Sequence, residues 1–293
     1  MPKLERILCS VDFSEFSEWA YRHALSLARH YRAKLLVLHV AELWRHSSVC
    51  FAPVKGYKQF LHHFLDDGQQ KLLEFVKNFR VQDVQPLCMV CEGMAPDVIL
   101  ALAETEQIDL IVMGTHGRRG FDRLMVGSVT ERVMRKALCP VLTVHASHDS
   151  GTSGKEEDPV HLGRILACTD FSENSQRALD YGSFLATGYS SELVLVHVLE
   201  NIPHSAARKE AIATATDRLK GLIPLEERDV GRHKTIVRVG KPYKKIIALA
   251  GETQSDLVIM AVRGAGAMDL SVFGSTSHRV IQLGPCPVLV VHV

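Results

Sequence analysis

The chain has no run of about 18 apolar residues, the length that carries a helix through a bilayer, so no membrane-spanning helix is expected. The opening Met1-Pro2-Lys3-Leu4-Glu5-Arg6 lacks the apolar stretch of a secretory leader. An excess of charge of either sign is missing too: 34 Lys and Arg stand against 33 Asp and Glu, a formal net charge of +1. So neutral a chain has no long-range field to hold a polyanion, which argues against a dedicated nucleic-acid binder. Cysteine is sparse and odd in number, 7 in 293 residues. Without a leader, free thiols in a reducing cytoplasm are expected rather than a disulfide framework. The composition, 46% hydrophobic and 23% charged, excludes disorder and collagen-like structure, and the length suits two domains.

What the chain does have is a copy of itself. Arg6–Glu42 aligns without gaps to Arg164–Glu200, with 16 of 37 positions identical, among them Asp12–Glu15 and Asp170–Glu173. Ile108–His145 aligns to Ser255–His292 with 15 identities in 38, including Cys139-Pro140-Val141-Leu142 and Cys286-Pro287-Val288-Leu289. The offset falls from 158 to 147, so the first half carries 11 extra residues, expected in the loop-like stretch Ala41–Gly68. A domain-sized period means a tandem pair. The polar, Gly/Ser-rich stretch between the copies reads as a linker. The expected division is domain 1 over 1–147, linker 148–161 and domain 2 over 162–293.

Each half alternates strand and helix. In the first, Arg6–Val11, Lys34–Val40, Val84–Cys91, Asp109–Met113 and Pro140–His145 are short apolar runs that read as strands. Glu15–Tyr31, Phe60–Phe79, Ala95–Glu106 and Ser128–Leu138 read as helices, the first with Ser14 as N-cap. Five buried strands alternating with helices imply a parallel, doubly wound α/β sheet in each half. Ligands bind such sheets beyond the carboxyl ends of the strands, where strand order reverses. With strand four returning beside strand one, Asp12 and Gly114 open the loops on either side of that crevice.

Gly114-Thr115-His116-Gly117, nine residues, then Gly127-Ser128 is the most informative segment. Glycines let backbone approach a ligand closely. A helix opening at Gly127-Ser128 offers free N–H groups, a positive dipole end and a hydroxyl to a phosphate, with Arg118 and Arg119 to add charge-assisted contacts. An ordinary turn before a Ser-capped helix explains the same residues.

Other constellations point to packing. Cys88-x-x-Cys91 has no second pair to complete a zinc site, and on a strand the two thiols diverge. His39 and His197, like His145 and His292, are matched across the repeat and mark recurring structural positions. His46, Cys50, His62 and His63 could bind zinc, but their mixed spacing on a loop and helix reads better as surface residues, and His116 is a weak phosphate candidate. There is no Gly-x4-Gly-Lys-Ser/Thr loop, no Gly-x-Ser-x-Gly elbow, no H-E-x-x-H and no dinucleotide G-x-G-x-x-G. Nothing positions a water against a γ-phosphate, which argues for holding a bound phosphate rather than turning it over.

With these residues the chain resembles a tandem member of the universal stress protein family. Its ATP-binding members share Gly-x2-Gly-x9-Gly-Ser/Thr, which Gly114, Gly117, Gly127 and Ser128 match in full. Asp12 after strand one, Leu38-His39-Val40 and the Pro-Val-Leu last strand also fit. The resemblance implies an adenine-nucleotide α-hydrolase-like fold with strand order 3-2-1-4-5, and domains paired through their final strands. It implies ATP with adenosine at Asp12 and the backbone of Val40, and ribose and phosphates on Gly114, Gly117, Gly127 and Ser128. In the second half Asp170, Val198, Gly264, Gly274 and Ser275 remain, but Ala261 replaces the first glycine and Ala265-Gly266 replaces the arginines. The added methyl is expected to crowd a ligand, so the first half should bind more tightly. The main reading is a cytoplasmic, ATP-binding stress-response sensor or interaction module with an unidentified protein partner. Neither nucleic acid nor membrane is expected as a partner, and homodimerisation is left open. Two readings stand beside it: a slow Mg²⁺-dependent ATPase or nucleotidyl-transfer enzyme, and a scaffold with vestigial sites.

Overall fold

A computed structural model describes residues 2–42, 54–79, 83–116, 126–145, 160–200, 206–223, 232–262 and 274–292, with backbone alone at 54–58 and 206. In the first half the elements are β1 (Arg6–Ser10), α1 (Glu15–Tyr31), β2 (Lys34–Ala41), α2 (Val54–Lys77), β3 (Leu87–Glu92), α3 (Ala95–Thr105), β4 (Leu110–Gly114), α4 (Ser128–Lys136) and β5 (Val141–Val144). The second half gives β6 (Arg164–Cys168), α5 (Glu173–Tyr189), β7 (Glu192–Leu199), α6 (Ala206–Gly221), β8 (His233–Val239), α7 (Pro242–Glu252), β9 (Leu257–Ala261), α8 (Ser275–Leu283) and β10 (Val288–Val291). The chain divides into two compact units, one of Lys3–Val160 and one built on His161–Val293.

The strands are near-continuous apolar runs because both faces of each sheet are covered. Ile7, Leu8, Ile111 and Val112 in the first unit, and Ile165, Leu166, Val258 and Ile259 in the second, are fully buried. In the first unit β1 lies between β2 and β4, parallel to both, with Ile7 opposite Leu35 and Leu110. β3 flanks β2, with His39 opposite Val90, and β5 flanks β4, with Met113 opposite Thr143. The second unit repeats this around β6, with Ile165 opposite Leu193 and Leu257, His197 opposite Val237, and Met260 opposite Val290. Each unit therefore has the expected order 3-2-1-4-5. The crossovers through α1 and α2 run one way from β1, and those through α3 and α4 the other. Right-handed connections then place the two pairs on opposite faces. Tyr21 of α1 packs on Phe75 of α2, and Arg132 of α4 pairs with Asp97 of α3, consistent with this division.

Two boundaries differ from the sequence reading by more than two residues. α2 starts at Val54 rather than Phe60 and has 24 residues against 16 in α6, so part of the first-half insertion is helix. Gly56 falls inside it; one glycine costs a helix only about 1 kcal/mol, which the packing of Leu72 and Phe75 offsets. β3 starts at Leu87 rather than Val84 because Pro86 has no N–H to give the ladder. Gly93 and Gly240, matched across the repeat, leave β3 and β8 at φ +143° and +136°, where only glycine is comfortable.

Candidate functional site

The carboxyl end of β1 is where strand order reverses, and the residues around it are held by a closed set of bonds. Ser14 caps α1, its Oγ accepting from Ser17 N–H at 3.3 Å. Asp12 Oδ1 accepts from Ser14 N–H (3.1 Å), Ser14 Oγ–H (2.6 Å) and Ser17 Oγ–H (2.9 Å). Between them Phe13 sits at φ +63°, a conformation that costs a bulky residue about 1–3 kcal/mol. Its ring packs 4.4 Å from His39, whose Nδ1–H donates to Val11 O at 2.9 Å. The second unit builds the same turn. Asp170 Oδ1 accepts from Ser172 N–H and Oγ–H, Phe171 sits at φ +64°, and His197 Nδ1–H donates to Thr169 O at 2.8 Å. His39 and His197 are thus structural: each ties the loop after the first strand to the second strand.

Across the crevice, α4 opens at Gly127 with no side-chain cap. The Gly127 N–H donates to Thr115 O at 2.8 Å, and Thr130 Oγ–H donates to Gly114 O at 2.8 Å. These bonds pin the helix start onto the end of β4. They leave the amides of Ser128, Val129 and Thr130 without an intrahelical partner, and Ser128 is exposed. In the second unit Gly274 N–H donates to Val262 O at 3.2 Å and Ser277 Oγ–H to Ala261 O at 3.0 Å; α8 likewise lacks a side-chain cap and Ser275 is exposed. The Thr130/Ser277 pair went unrecognised in the sequence because it is a shared hydroxyl rather than an identity.

The structure changes the reason for one glycine. A Cβ on Gly114 would lie 2.8 Å from Phe16 Cβ and 3.0 Å from the Phe16 carbonyl carbon and oxygen. The missing side chain makes room for the first turn of α1, not for a ligand. Asn174 stands at the Phe16 position in the second half, and Ala261 is buried. His116 is buried, with Nδ1 3.0 Å from Thr115 Oγ1 and its ring 5.0 Å from Phe16.

The structure brings Asp12, Val40, Gly114, Gly127 and Ser128 to the carboxyl edge of one sheet, and Asp170, Val198, Gly274 and Ser275 to the same edge of the other. Val40 and Val198 are half-buried near the ends of β2 and β7. Gly117, Arg118 and Gly264 lie outside the described residues, as do His46 and Cys50. His62 lies on α2, 3.5 Å from Asp66. Cys88 and Cys91 are free, half-buried thiols, and among the described residues no group of three or more His, Cys, Asp or Glu is placed to hold a metal. No described helix is long and apolar enough to cross a membrane.

The universal stress protein family matches the chain twice, over residues 3–145 and 161–292. The chain belongs to that family. It is similar to two universal stress proteins of Methanocaldococcus jannaschii. One is 33% identical over 141 residues, covering 48% of this chain and 81% of the relative. The other is 29% identical over 157 residues, covering 48% and 94%. Each relative thus corresponds to about one unit. A solved universal stress protein from Archaeoglobus fulgidus matches with a TM-score of 0.68 and 23% identity, covering 99% of this chain and 97% of that one. This likeness concerns the fold.

Proposed function

We propose that this universal stress protein binds ATP at the carboxyl edge of its first unit and acts in the cytoplasm as a nucleotide-dependent sensor or interaction module. The observation that carries the reading is the start of α4. Three amides without intrahelical partners and without a side-chain cap open at the carboxyl end of β4, the neighbour of β1, where Thr130 and Gly127 hold the helix start. A helix start of this kind suits a phosphate. The residues fit a nucleotide: Ser128 supplies an exposed hydroxyl beside those amides, and Val40 a backbone edge near the end of β2. Asp12 holds the loop between them through Oδ1. When bound, ATP would supply a polyanion at the start of α4, and a partner would distinguish the bound from the free protein. The first unit is the stronger site because Arg118 and Arg119 have no cationic counterparts at 265 and 266. Mg²⁺ would be held through the phosphates.

The test is calorimetric titration of the full chain with ATP·Mg²⁺, preceded by heat extraction of the purified protein to look for adenine nucleotide. The decisive variant is Ser128→Asp. A carboxylate in the first turn stabilises α4 by about 0.3–1 kcal/mol, yet repels a phosphate and should weaken ATP binding at least about tenfold. Ser275→Asp should change it little. Absence of binding at millimolar ATP, or equal affinity in Ser128→Asp, refutes the reading. Turnover in a single-turnover assay would move it to the slow ATPase.

A further inference from the structure

A cavity of about 390 Å³ opens in the second unit between the end of β7 and α6. Its lining includes none of Asp170, Val198, Gly274 and Ser275. His197 and Leu199 line it and Val198 between them does not, because alternate residues of a strand face opposite sides of the sheet. Apart from Phe171 and Leu199, its apolar wall is made of α6 alanines, and its volume falls in the range of small-ligand sites.

Arg218 distinguishes this place. Its guanidinium lies 3.9 Å above the ring of Phe171, the residue held at φ +64°, and no carboxylate pairs with it among the described residues. The first unit shows the alternative. The registers His39–Val90 and His197–Val237 set equivalent positions 147 apart (237 − 90), and Leu72 and Leu219, so related, are both fully buried. By the same offset Lys71 corresponds to Arg218, Asp67 to Thr214 and Phe75 to Leu222. Lys71 is tied to Asp67 at 2.6 Å, and the Phe75 ring packs 5.8 Å from Phe13. In the second unit the carboxylate has become Thr214 and the ring Leu222. One change removes the carboxylate one turn before the cation, and the other removes the ring that packs on the loop aromatic.

We propose that this cavity binds a small organic anion, a carboxylate or phosphate carried on an apolar body. The body lies against Leu199 and the alanines of α6. The anionic group meets the donor edge of Arg218, which Phe171 holds flat for a two-point contact. Glu210, two turns earlier and about 12 Å away along the helix axis, marks the end from which an anion is repelled.

The full chain is titrated with benzoate and with phenyl phosphate, with and without saturating ATP, by calorimetry and by NMR of the His197 ring. At least one probe should bind with a dissociation constant of about 1 mM or below, shift the His197 resonances, and do so equally with ATP present. The preferred probe separates the carboxylate from the phosphate. Arg218→Gln, at an exposed position, should weaken binding about tenfold or more. Ala211→Leu, which fills the cavity without altering charge, should abolish it. Glu210→Gln should strengthen it about two- to threefold, and Lys71→Gln should leave it unchanged. The proposal is overturned if neither probe moves the His197 resonances at about 10 mM, if Arg218→Gln binds as well as wild type, or if ATP displaces the probe.

Discussion

Gly114→Ala is the sharpest perturbation of the crevice wall. The new Cβ would stand 2.8 Å from Phe16 Cβ and 3.0 Å from the carbonyl carbon and oxygen of the same residue, whereas carbon atoms settle at about 3.5–4.0 Å. None of the three is the end of a flexible side chain, so the first turn of α1 has to move by about 0.5–1 Å to restore contact distance. Such overpacking costs about 1–3 kcal/mol. Replacing glycine returns about 0.4–1 kcal/mol through the unfolded chain, which leaves a net loss of about 1–2 kcal/mol. Both tryptophans, Trp19 and Trp44, belong to the first half, and Trp19 lies on α1, so their fluorescence reports this unit in a urea titration. With a urea slope near 2 kcal/mol per molar, the midpoint should fall by about 0.5–1 M at unchanged slope. A midpoint equal to or above wild type would show that the space beside Gly114 is open, and the packing account of this glycine would fail.

Thr130→Val removes the hydroxyl that holds the start of α4 to Gly114 O and leaves that buried carbonyl without the bond. The unit should lose about 1–2 kcal/mol in the same titration, and hydrogen exchange at the first turn of α4 should quicken. A neutral outcome would mean that the pin is dispensable. Glu192 bonds Lys234 at 2.5 Å and Arg164 at 2.8 Å. Lys234 above all holds its carboxyl below the usual range; burial opposes it, and Arg164 adds to the lowering. A depressed folded pKa stabilises above the unfolded value and is lost as pH falls through the folded one. Glu192→Gln should therefore destabilise at pH 7 by less than about 1 kcal/mol, the pair being near the surface, with the difference vanishing toward acid pH. Burial pushes the thiols of Cys139 and Cys286 up to about 12 and raises those of Cys9 and Cys168 as well. Peptide mapping after iodoacetamide at pH 8 should find the buried Cys9, Cys168 and Cys286 unmodified in the native protein and modified in urea; rapid native labelling of these three would contradict their burial.

Most of the architecture was legible in the residues. The two copies repeat the same alternation of apolar runs and amphipathic stretches, and Ser14 announced the start of α1 as an N-cap. These signals are local: a strand shows as a short apolar run, a helix as a 3.6-residue stripe, and both are written in consecutive residues. The misplaced limits, at Val54 and Leu87, came from weighing Gly56 too heavily and Pro86 too lightly.

The chain alone determined that there are two equivalent α/β units and that Gly127-Ser128 begins a helix beside the crevice. Only the tertiary structure decided what Gly114 is for, since its neighbour Phe16 is almost a hundred positions away in sequence and reaches it through helix–sheet packing. The same holds for Asp12, whose Oδ1 is drawn into a turn with Ser14 and Ser17, and for Arg218, whose lost partner shows only when α6 is laid beside α2. Periodicity fixes which face of an element is buried; it carries no record of which distant atom will press against that face, because that depends on how the sheet is wound.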